Sequence, residues 1–312
     1  MAIIPQFYKN AVVSIGIKNQ NSDIAWIGTG FFVTRAIDEN NVRPFLVTNR
    51  HVFLGKSTIV IRMKEKDTEN LKEFDVSIVK SDGSNEKPIY VLHTQDDIDI
   101  AVLPLDASFI IENHLEFPAF DIDSNAMTSS ELRDNGLDEG SLIFMLGYTM
   151  GLVNQSSSLP ICRLGCIARI SKEQIQEQHN ILVDIQNFPG NSGSPIINRP
   201  EVVSIQGTKK LDRSVLIGII HSYIPYQETL INSQTGKFVE IRSENSGLAY
   251  AHPVEYMRDI NIPQGMQIVV DDAVYAMGSD FINFDADYFN KSSVGAASGG
   301  FNSYAIAGYA SV

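Results

Sequence analysis

The chain has 312 residues, of which 44% are hydrophobic, so it is long enough for two small domains with cores of ordinary size. Its net charge of −13 argues against nucleic acid or an anionic membrane as a partner, because no basic patch is available to neutralise phosphates. No apolar run has the length of a membrane span, and the N-terminus lacks the pattern of a signal peptide. We therefore expect a cytoplasmic protein that binds neither nucleic acid nor membrane.

Short apolar segments rich in Val, Ile, Phe and Tyr follow one another in the first part of the chain, separated by turn-forming clusters such as N-Q-N-S-D and D-E-N-N. Many short strands with turn signals between them are typical of a barrel or a sandwich and not of alternating β-α units. The six strands predicted here are Ala11 to Ile17, Trp26 to Val33, Phe45 to Val52, Thr58 to Met63, Phe74 to Val79 and Ile98 to Leu105.

A polar stretch interrupts the strands, and a second set follows it. We therefore predict two similar all-β units, at residues 8–115 and 141–262, joined by a linker at 116–140. A short closing helix is predicted at Val254 to Ile260, with Pro253 at a first-turn position. The strands of the second unit are Leu142 to Tyr148, Leu159 to Ile170, Ile181 to Ile185, Ser194 to Ile197, Val215 to Tyr223 and Leu248 to Ala251.

Residues 263–312 form a C-terminal extension of different composition, which ends S-S-V-G-A-A-S-G-G-F-N-S-Y-A-I-A-G-Y-A-S-V. A tail rich in Gly, Ser and Ala is typical of a flexible terminus. Its scattered aromatic residues leave a second interpretation open, in which the tail docks onto the body of the protein or onto a partner.

Three motifs place reactive side chains next to strands. V-T-N-R-H-V-F puts His51 after one strand, D-D-I-D-I-A-V-L puts Asp99 before another, and F-P-G-N-S-G-S-P-I puts Ser192 in a glycine-bounded turn. A serine hydroxyl becomes a nucleophile when a neutral imidazole takes its proton and a carboxylate fixes the imidazole tautomer. Asp96 and Asp97 compete for the role of that carboxylate, but Asp99 fits better because it stands directly before the strand.

The turn around Ser192 adds a second chemical element. Gly190 lets the backbone turn sharply, so that the amides of Gly190 and Ser192 can face one point and bind the oxyanion of a tetrahedral intermediate. Gly193 leaves room beside the nucleophile. The turn therefore predicts acyl-transfer chemistry at Ser192.

Together these motifs resemble the trypsin-like (chymotrypsin-fold) serine peptidases, whose order of His, Asp and Ser differs from that of subtilisins and α/β-hydrolases. The closer resemblance is to the bacterial HtrA-type protease domain. It rests on G-T-G-F-F-V before the histidine, on L-D-E-G-S-L-I-F-M-L-G-Y-T-M-G-L at the entry to the second unit, and on V-L-I-G-I-I-H-S-Y and G-L-A-Y-A-H-P in the last two strands. The resemblance covers roughly residues 8–260 and includes no peptide-binding PDZ domain.

The resemblance implies a trypsin-like double barrel, that is, an all-β fold of two six-stranded antiparallel β-barrels. It implies a serine endopeptidase with Ser192 as nucleophile, His51 as general base and Asp99 as orienting acid, and with no metal or other cofactor. Gly190 and Ser192 become the oxyanion hole. The chain departs from the family pattern in two places, since N-R precedes His51 where a small residue is usual and Ser194 replaces a glycine.

The resemblance also locates a substrate pocket. Its floor should lie at Gln186, six residues before the nucleophile, with Asn187 beside it, His221 on the wall strand and Tyr223 near the rim. No carboxylate occupies this floor, which argues against a preference for Lys or Arg and favours a small or polar residue before the cut. His221 has three possible roles, namely bonding to Asp99, contacting the substrate and packing.

Three classes of function remain open, and a small-ester or amide hydrolase ranks last among them because two-barrel triads act mainly on peptides. The first is a cytoplasmic endopeptidase that cuts protein or peptide substrates and is regulated by a partner protein or a conformational switch. The second is a protease-like scaffold that binds a peptide without turnover. His93, His114 and His179 lie outside any motif and are interpreted as structural, and His252 as structural or pocket-lining.

Overall fold

The computed structural model of the chain describes residues 3–37, 42–82, 85–201, 203, 209–260, 267–270 and 273–276. The elements of its N-terminal part are α1 (Gln6–Asn10), β1 (Val12–Lys18), β2 (Ile24–Ala36), β3 (Val42–Thr48), α2 (Arg50–Phe53), β4 (Thr58–Lys64), β5 (Leu71–Ser77), β6 (Val79–Asp82), β7 (Asn85–Pro88), β8 (Val91–Leu92), β9 (Ala101–Pro104) and α3 (Ala107–Glu112).

The predicted linker contains two elements, β10 (Phe120–Asp121) and α4 (Ser129–Asp134). The remaining elements are β11 (Leu142–Gly147), a 3₁₀ turn (Thr149–Gly151), β12 (Ile161–Arg169), α5 (Lys172–Gln178), β13 (Ile181–Asp184), β14 (Pro195–Asn198), β15 (Leu216–Ile231), β16 (Phe238–Pro253), α6 (Val254–Arg258), β17 (Gln267–Val270) and β18 (Ala273–Ala276).

The C-terminal strands close into a six-stranded antiparallel barrel in the order β11-β12-β13-β16-β15-β14. The sequence I-L-V-D of β13 shows why these segments form strands with one face in the core. Ile181 and Val183 are buried, whereas Leu182 is half-buried and Asp184 is exposed, which is the two-residue period of a strand. The predicted C-terminal barrel is confirmed.

The N-terminal strands form a ten-stranded sheet in the order β18-β17-β5-β4-β1-β2-β3-β9-β8, with β10 parallel to β2 at its side. No strand pairing among the described residues closes this sheet, so the expectation of a second closed six-stranded barrel is not met. The outer edge of β5 is already paired with β17, where Val269 lies opposite Ser77 and Val270 opposite Val76. At the other end of the sheet, the edge strand β8 is only two residues long.

β17 and β18 belong to the predicted C-terminal extension, and they add a hairpin to the edge of the N-terminal sheet. The remainder of residues 263–312, including the Gly, Ser and Ala-rich end, lies outside the described residues. Within the described part of the chain, no helix has both the length and the apolar character needed to cross a bilayer.

A continuous apolar layer packs the N-terminal sheet against the C-terminal barrel. Ile98 and Ile100 on one side and Leu216 and Ile219 on the other are fully or almost fully buried in the same cluster. Ile98 and Ile100 flank Asp99, and Ile219 lies in β15. This layer therefore packs the segment around Asp99 against the C-terminal barrel.

β15 and β16 continue beyond the barrel as a long hairpin arm, which we define as residues 223–247. The predicted strands stop at Tyr223 and begin at Leu248, but the observed pairing continues outward to Ile231 opposite Phe238. Ile231 and Phe238 are 61% and 62% exposed. The arm is thus a two-stranded ribbon with apolar side chains at its exposed end.

Candidate active site

His51 and Asp99 meet at the start of α2. β3 ends at Thr48, and α2 turns the chain so that the backbone N of His51 donates to Asp99 Oδ1 at 3.0 Å. The His51 Nδ1 atom lies 2.6 Å from Asp99 Oδ2. Both carboxylate oxygens of Asp99 are therefore used by His51, which fixes the ring orientation and leaves Nε2 as the nitrogen that faces away from the acid.

The contacts of Asn49 and Arg50 explain why the unusual N-R pair precedes His51. Asn49 is fully buried, and its Nδ2 donates to the Asp99 carbonyl at 2.8 Å, while the backbone N of Arg50 donates to the same carbonyl at 3.3 Å. The Arg50 guanidinium pairs with Asp96 at 3.1 Å. Asp97 pairs with His179 Nε2 at 3.3 Å. The two competing acids are thus engaged elsewhere, and the structure joins Asp99 to His51.

The turn that carries Ser192 is fastened by its carbonyl groups. Thr29 Oγ1 donates to the Gly190 carbonyl at 2.7 Å, and the backbone N of Thr29 donates to the Ser192 carbonyl at 2.9 Å. The backbone N of Met150 donates to the Pro189 carbonyl at 2.6 Å. Sequence reasoning missed Thr29, although it stands in the G-T-G motif that carried the family resemblance.

Two amides of the turn keep their hydrogens free. Among the described residues, the N–H groups of Gly190 and Ser192 have no acceptor, whereas Gly193 donates to the Ile220 carbonyl at 3.2 Å. No peptide bond in the described chain is cis, so the N–H of Gly190 points opposite to the Pro189 carbonyl and away from Met150. The two free donors are those that the sequence assigned to an oxyanion hole.

Glycine is required at two positions of this turn. Gly190 has φ of +92° and Gly193 has φ of +87°, both in the left-handed region that L side chains rarely adopt. A Cβ on Gly190 would also clash with the Tyr148 carbonyl, and one on Gly193 would clash with the Thr29 carbonyl. The tight approach of these backbones depends on the missing side chains.

Gly28 lies between the segment of His51 and the turn of Ser192. A Cβ added to Gly28 would be 3.0 Å from the Val52 side chain and 3.5 Å from the Ser192 carbonyl oxygen. Val52 follows His51 directly, so the three predicted residues lie in one region. Among the described residues, however, no hydrogen bond joins Ser192 Oγ to the His51 ring.

A group of histidines lies behind Asp99. His252 is 1% exposed, and the backbone N of Asp99 donates to its Nε2 at 2.9 Å. The His221 ring stacks on the His252 ring with 4.0 Å between centroids, and His221 Nε2 lies 2.6 Å from Asn180 Oδ1. Burial lowers the pKa of His252 and lowers that of His221 to about 3, so both rings are neutral at neutral pH. Sequence reasoning left His252 as structural or pocket-lining and did not connect it with Asp99.

The predicted pocket residues differ in their surroundings. Gln186 is exposed, whereas Asn187 is 5% exposed and its Oδ1 has no hydrogen-bond partner among the described residues. Asn245, at the base of the arm, donates to the Asn187 carbonyl at 2.6 Å. Tyr223 is 45% exposed. His221 directs its ring at Asn180 and His252, which favours the packing role among the three that the sequence left open.

Within the described residues, no three His, Cys, Asp or Glu side chains converge as a metal site would require. The histidine group behind Asp99 is joined instead by hydrogen bonds and stacking. What the site offers chemically is an imidazole oriented by a carboxylate, a serine hydroxyl in the same region and two free amide donors. This is the equipment of nucleophilic acyl transfer.

A family model described as "Trypsin-like peptidase domain" matches residues 28–203. This range covers more than half of the chain and contains the three motifs. The chain therefore belongs to the trypsin-like peptidase family. No curated protein matches the sequence.

Solved structures that are similar to this chain include two that are titled as proteases and one human protein. The MamO protease domain from Magnetospirillum magneticum is 14% identical, with a TM-score of 0.42 over 80% of this chain and 95% of that one. The HtrA-type protease AlgW with a decapeptide is 15% identical, with a TM-score of 0.44 over 85% and 70%. A mutant of human heparin binding protein is 13% identical, with a TM-score of 0.39 over 82% and 91%.

Proposed function

We propose that the protein is a serine endopeptidase that hydrolyses peptide bonds of protein substrates. The observation that carries this proposal is the bonded pair of His51 and Asp99 in the same region as a turn that leaves the amides of Gly190 and Ser192 free. Membership of the trypsin-like peptidase family supports it.

In the proposed reaction, His51 Nε2 takes the Ser192 proton as Oγ attacks the scissile carbonyl carbon. Asp99 stabilises the imidazolium cation, and the amides of Gly190 and Ser192 bind the oxyanion that forms. The C–N bond then breaks, and the His51 proton passes to the leaving amine, which gives an acyl-enzyme. Water, deprotonated by His51, attacks the ester and releases the acid, after which the proton returns to Ser192.

A fluorophosphonate probe tests this proposal, because it phosphonylates only an activated serine. We expect the probe to label the wild-type protein on the peptide that contains Ser192, as located by mass spectrometry. The label should be lost in Ser192→Ala and kept in Ser194→Ala, which removes a neighbouring hydroxyl of the same turn. A protein that is neither labelled nor able to cleave any member of a peptide library would reject the proposal.

The second candidate is a peptide-binding scaffold without turnover, and one observation favours it. Ser192 Oγ and the His51 ring share no hydrogen bond in this conformation, although such bonds often form only when substrate is present. The labelling experiment distinguishes the two. A protein that retains library peptides without cleaving or reacting is a scaffold.

We further propose that the residue before the cut is small or polar. Gln186, at the predicted floor, is exposed and uncharged, and Asn187 beside it is uncharged as well, so neither offers a carboxylate to a Lys or Arg side chain. Profiling with a peptide library should show enrichment of small and polar residues at this position. A dominant preference for arginine in the wild type would contradict this expectation.

The matched variant is Gln186→Asp, which places a carboxylate at the predicted floor. It should raise the cleavage of Lys and Arg substrates by about tenfold, the effect of roughly 1.5 kcal/mol from one charge-assisted hydrogen bond. An unchanged profile would show that residue 186 does not form the floor.

We also propose that a partner protein or a conformational switch regulates the activity. The arm supports this idea, because its exposed end carries Ile231 and Phe238 while its base bonds to the pocket through Asn245. A partner that moved the arm on binding would also move Asn187, because Asn245 at the base of the arm donates to the Asn187 carbonyl.

A further inference from the structure

His252 holds the backbone of Asp99 from the side of the C-terminal barrel. It lies near the end of β16, where its Nε2 accepts from the Asp99 N–H at 2.9 Å and its Nδ1 lies 2.8 Å from the His179 carbonyl. A backbone N–H only donates and a carbonyl only accepts. The two neighbours therefore fix the neutral tautomer of His252, with the proton on Nδ1.

The peptide groups of Asp99 are held on both sides. His252 takes the N–H, while Asn49 Nδ2 and the Arg50 N–H hold the carbonyl at 2.8 and 3.3 Å. With its backbone fixed in this way, Asp99 presents both carboxylate oxygens to His51. The position of the His51 ring thus depends on His252, which forms no hydrogen bond with His51 among the described residues.

His252 also connects the acid to the nucleophile. It lies opposite Ile219 in the pairing of β15 with β16. Ile220 follows Ile219 in β15. The Ile220 carbonyl accepts from the Gly193 N–H at 3.2 Å, and the Ile220 N–H donates to the Ser194 carbonyl at 2.9 Å. A short path of hydrogen bonds therefore runs from the Ser192 turn through β15 and β16 to Asp99, which lies in the N-terminal part of the chain.

The surroundings of His252 keep it an acceptor. Burial lowers its pKa, while the Asp99 and Asp97 carboxylates and the His179 carbonyl oppose this shift only in part, and the His179 side chain adds to it. The His221 ring covers one face at 4.0 Å, and the Tyr256 ring lies edge-on at 6.3 Å. Protonation at Nε2 would set a donor against the Asp99 N–H.

We propose that His252 is a positioning residue, through which the C-terminal barrel keeps Asp99, and with it His51, aligned with Ser192. This inference rests on the proposed function of the site. It predicts that loss of the Nε2 acceptor disturbs the bond between His51 and Asp99 while the binding of substrate is unaffected.

The variants His252→Phe and His252→Gln test the inference. Phe keeps a ring against His221 but has no acceptor, so kcat should fall about tenfold with KM within twofold of the wild type. Gln supplies an amide oxygen and should recover most of the loss. His179→Asn is the matched control, because it keeps the carbonyl that His252 uses and suits the left-handed φ of +57°. An unchanged kcat in His252→Phe, or a folded Gln variant as slow as Phe, would overturn the inference.

A second measurement needs no turnover, and its first part needs no variant. In the wild-type protein with ¹⁵N-labelled histidines, His252 should show a protonated Nδ1 and a bare Nε2, and a proton on Nε2 would overturn the inference. The downfield resonance of the His51 Nδ1 proton should weaken or shift in His252→Phe and not in His179→Asn. If these signals behave as expected while the probe fails to label Ser192, the proposed function fails and the positioning role of His252 stands.

Discussion

Replacement of Ser192 by Ala should lower kcat/KM for the best library peptide by about 10⁶-fold, the effect of removing the nucleophile of a serine peptidase. The fold should not change, because backbone atoms fasten the turn. The Ser192 carbonyl accepts from the Thr29 N–H, and Gly193 donates to Ile220. Steady-state kinetics, together with a thermal melt of both proteins, measure the two effects separately.

Ser194→Ala is the matched control for this substitution. Ser194 is fully buried two residues away, and its Oγ has no hydrogen-bond partner among the described residues. Removing an unpartnered buried hydroxyl should leave stability equal or slightly higher, and kcat/KM within a few-fold of the wild type. If Ser194→Ala lost activity as Ser192→Ala is expected to, Ser192 would not be the distinguishing nucleophile.

Local patterns in the sequence predicted most strands correctly, because each strand is a short apolar run bounded by polar or turn-forming residues. They failed at the arm. Segments such as Q-E-T and S-E-N-S look like loops, since a ribbon that projects into solvent needs no apolar face. The pattern therefore ended β15 and began β16 at the edge of the barrel, where burial ends, and not where the pairing ends.

The open N-terminal sheet was beyond local reasoning for a different reason. The pairing of β17 with β5 joins segments nearly 200 residues apart, and β10 joins β2 in parallel. No local pattern in these segments indicates which strand each of them pairs with. One missed element was readable, since T-S-S-E at Thr128 is a capping box, and the Thr128 N–H indeed donates to Glu131 at 2.7 Å.

The candidate site divides in the same way. The order of the residues and their flanking sequences pointed to His51, Asp99 and Ser192, since each of the three motifs is one continuous stretch of the chain. The groups that hold them in place are distant in sequence. Thr29 bonds to Gly190 across 161 residues, and His252 bonds to Asp99 across 153. Such contacts become visible only when the two β units are packed together.

Replacement of Asp99 by Asn should lower kcat by about 10⁴-fold, as expected when a catalytic histidine is held in the wrong tautomer. Asp99 Oδ1 accepts from the His51 backbone N and Oδ2 lies against Nδ1. An amide can replace only one of these acceptors. Because the backbone N–H cannot change its role, the NH₂ group would turn to Nδ1 and move the ring proton to Nε2, which then cannot accept from Ser192.

The neighbouring acids supply the controls that give this prediction its force. Asp97→Asn weakens a pair with His179, and Asp96→Asn weakens an exposed pair with Arg50, yet neither carboxylate touches His51. Both variants should keep kcat within a few-fold of the wild type, since exposed ion pairs contribute little. A large loss of kcat in Asp97→Asn with near-normal kcat in Asp99→Asn would contradict this prediction, because Asp97 would then be the acid that orients His51. The reverse result, together with the loss of the downfield His51 signal in Asp99→Asn alone, would tie the chemistry to the one carboxylate whose two oxygens both face the imidazole segment.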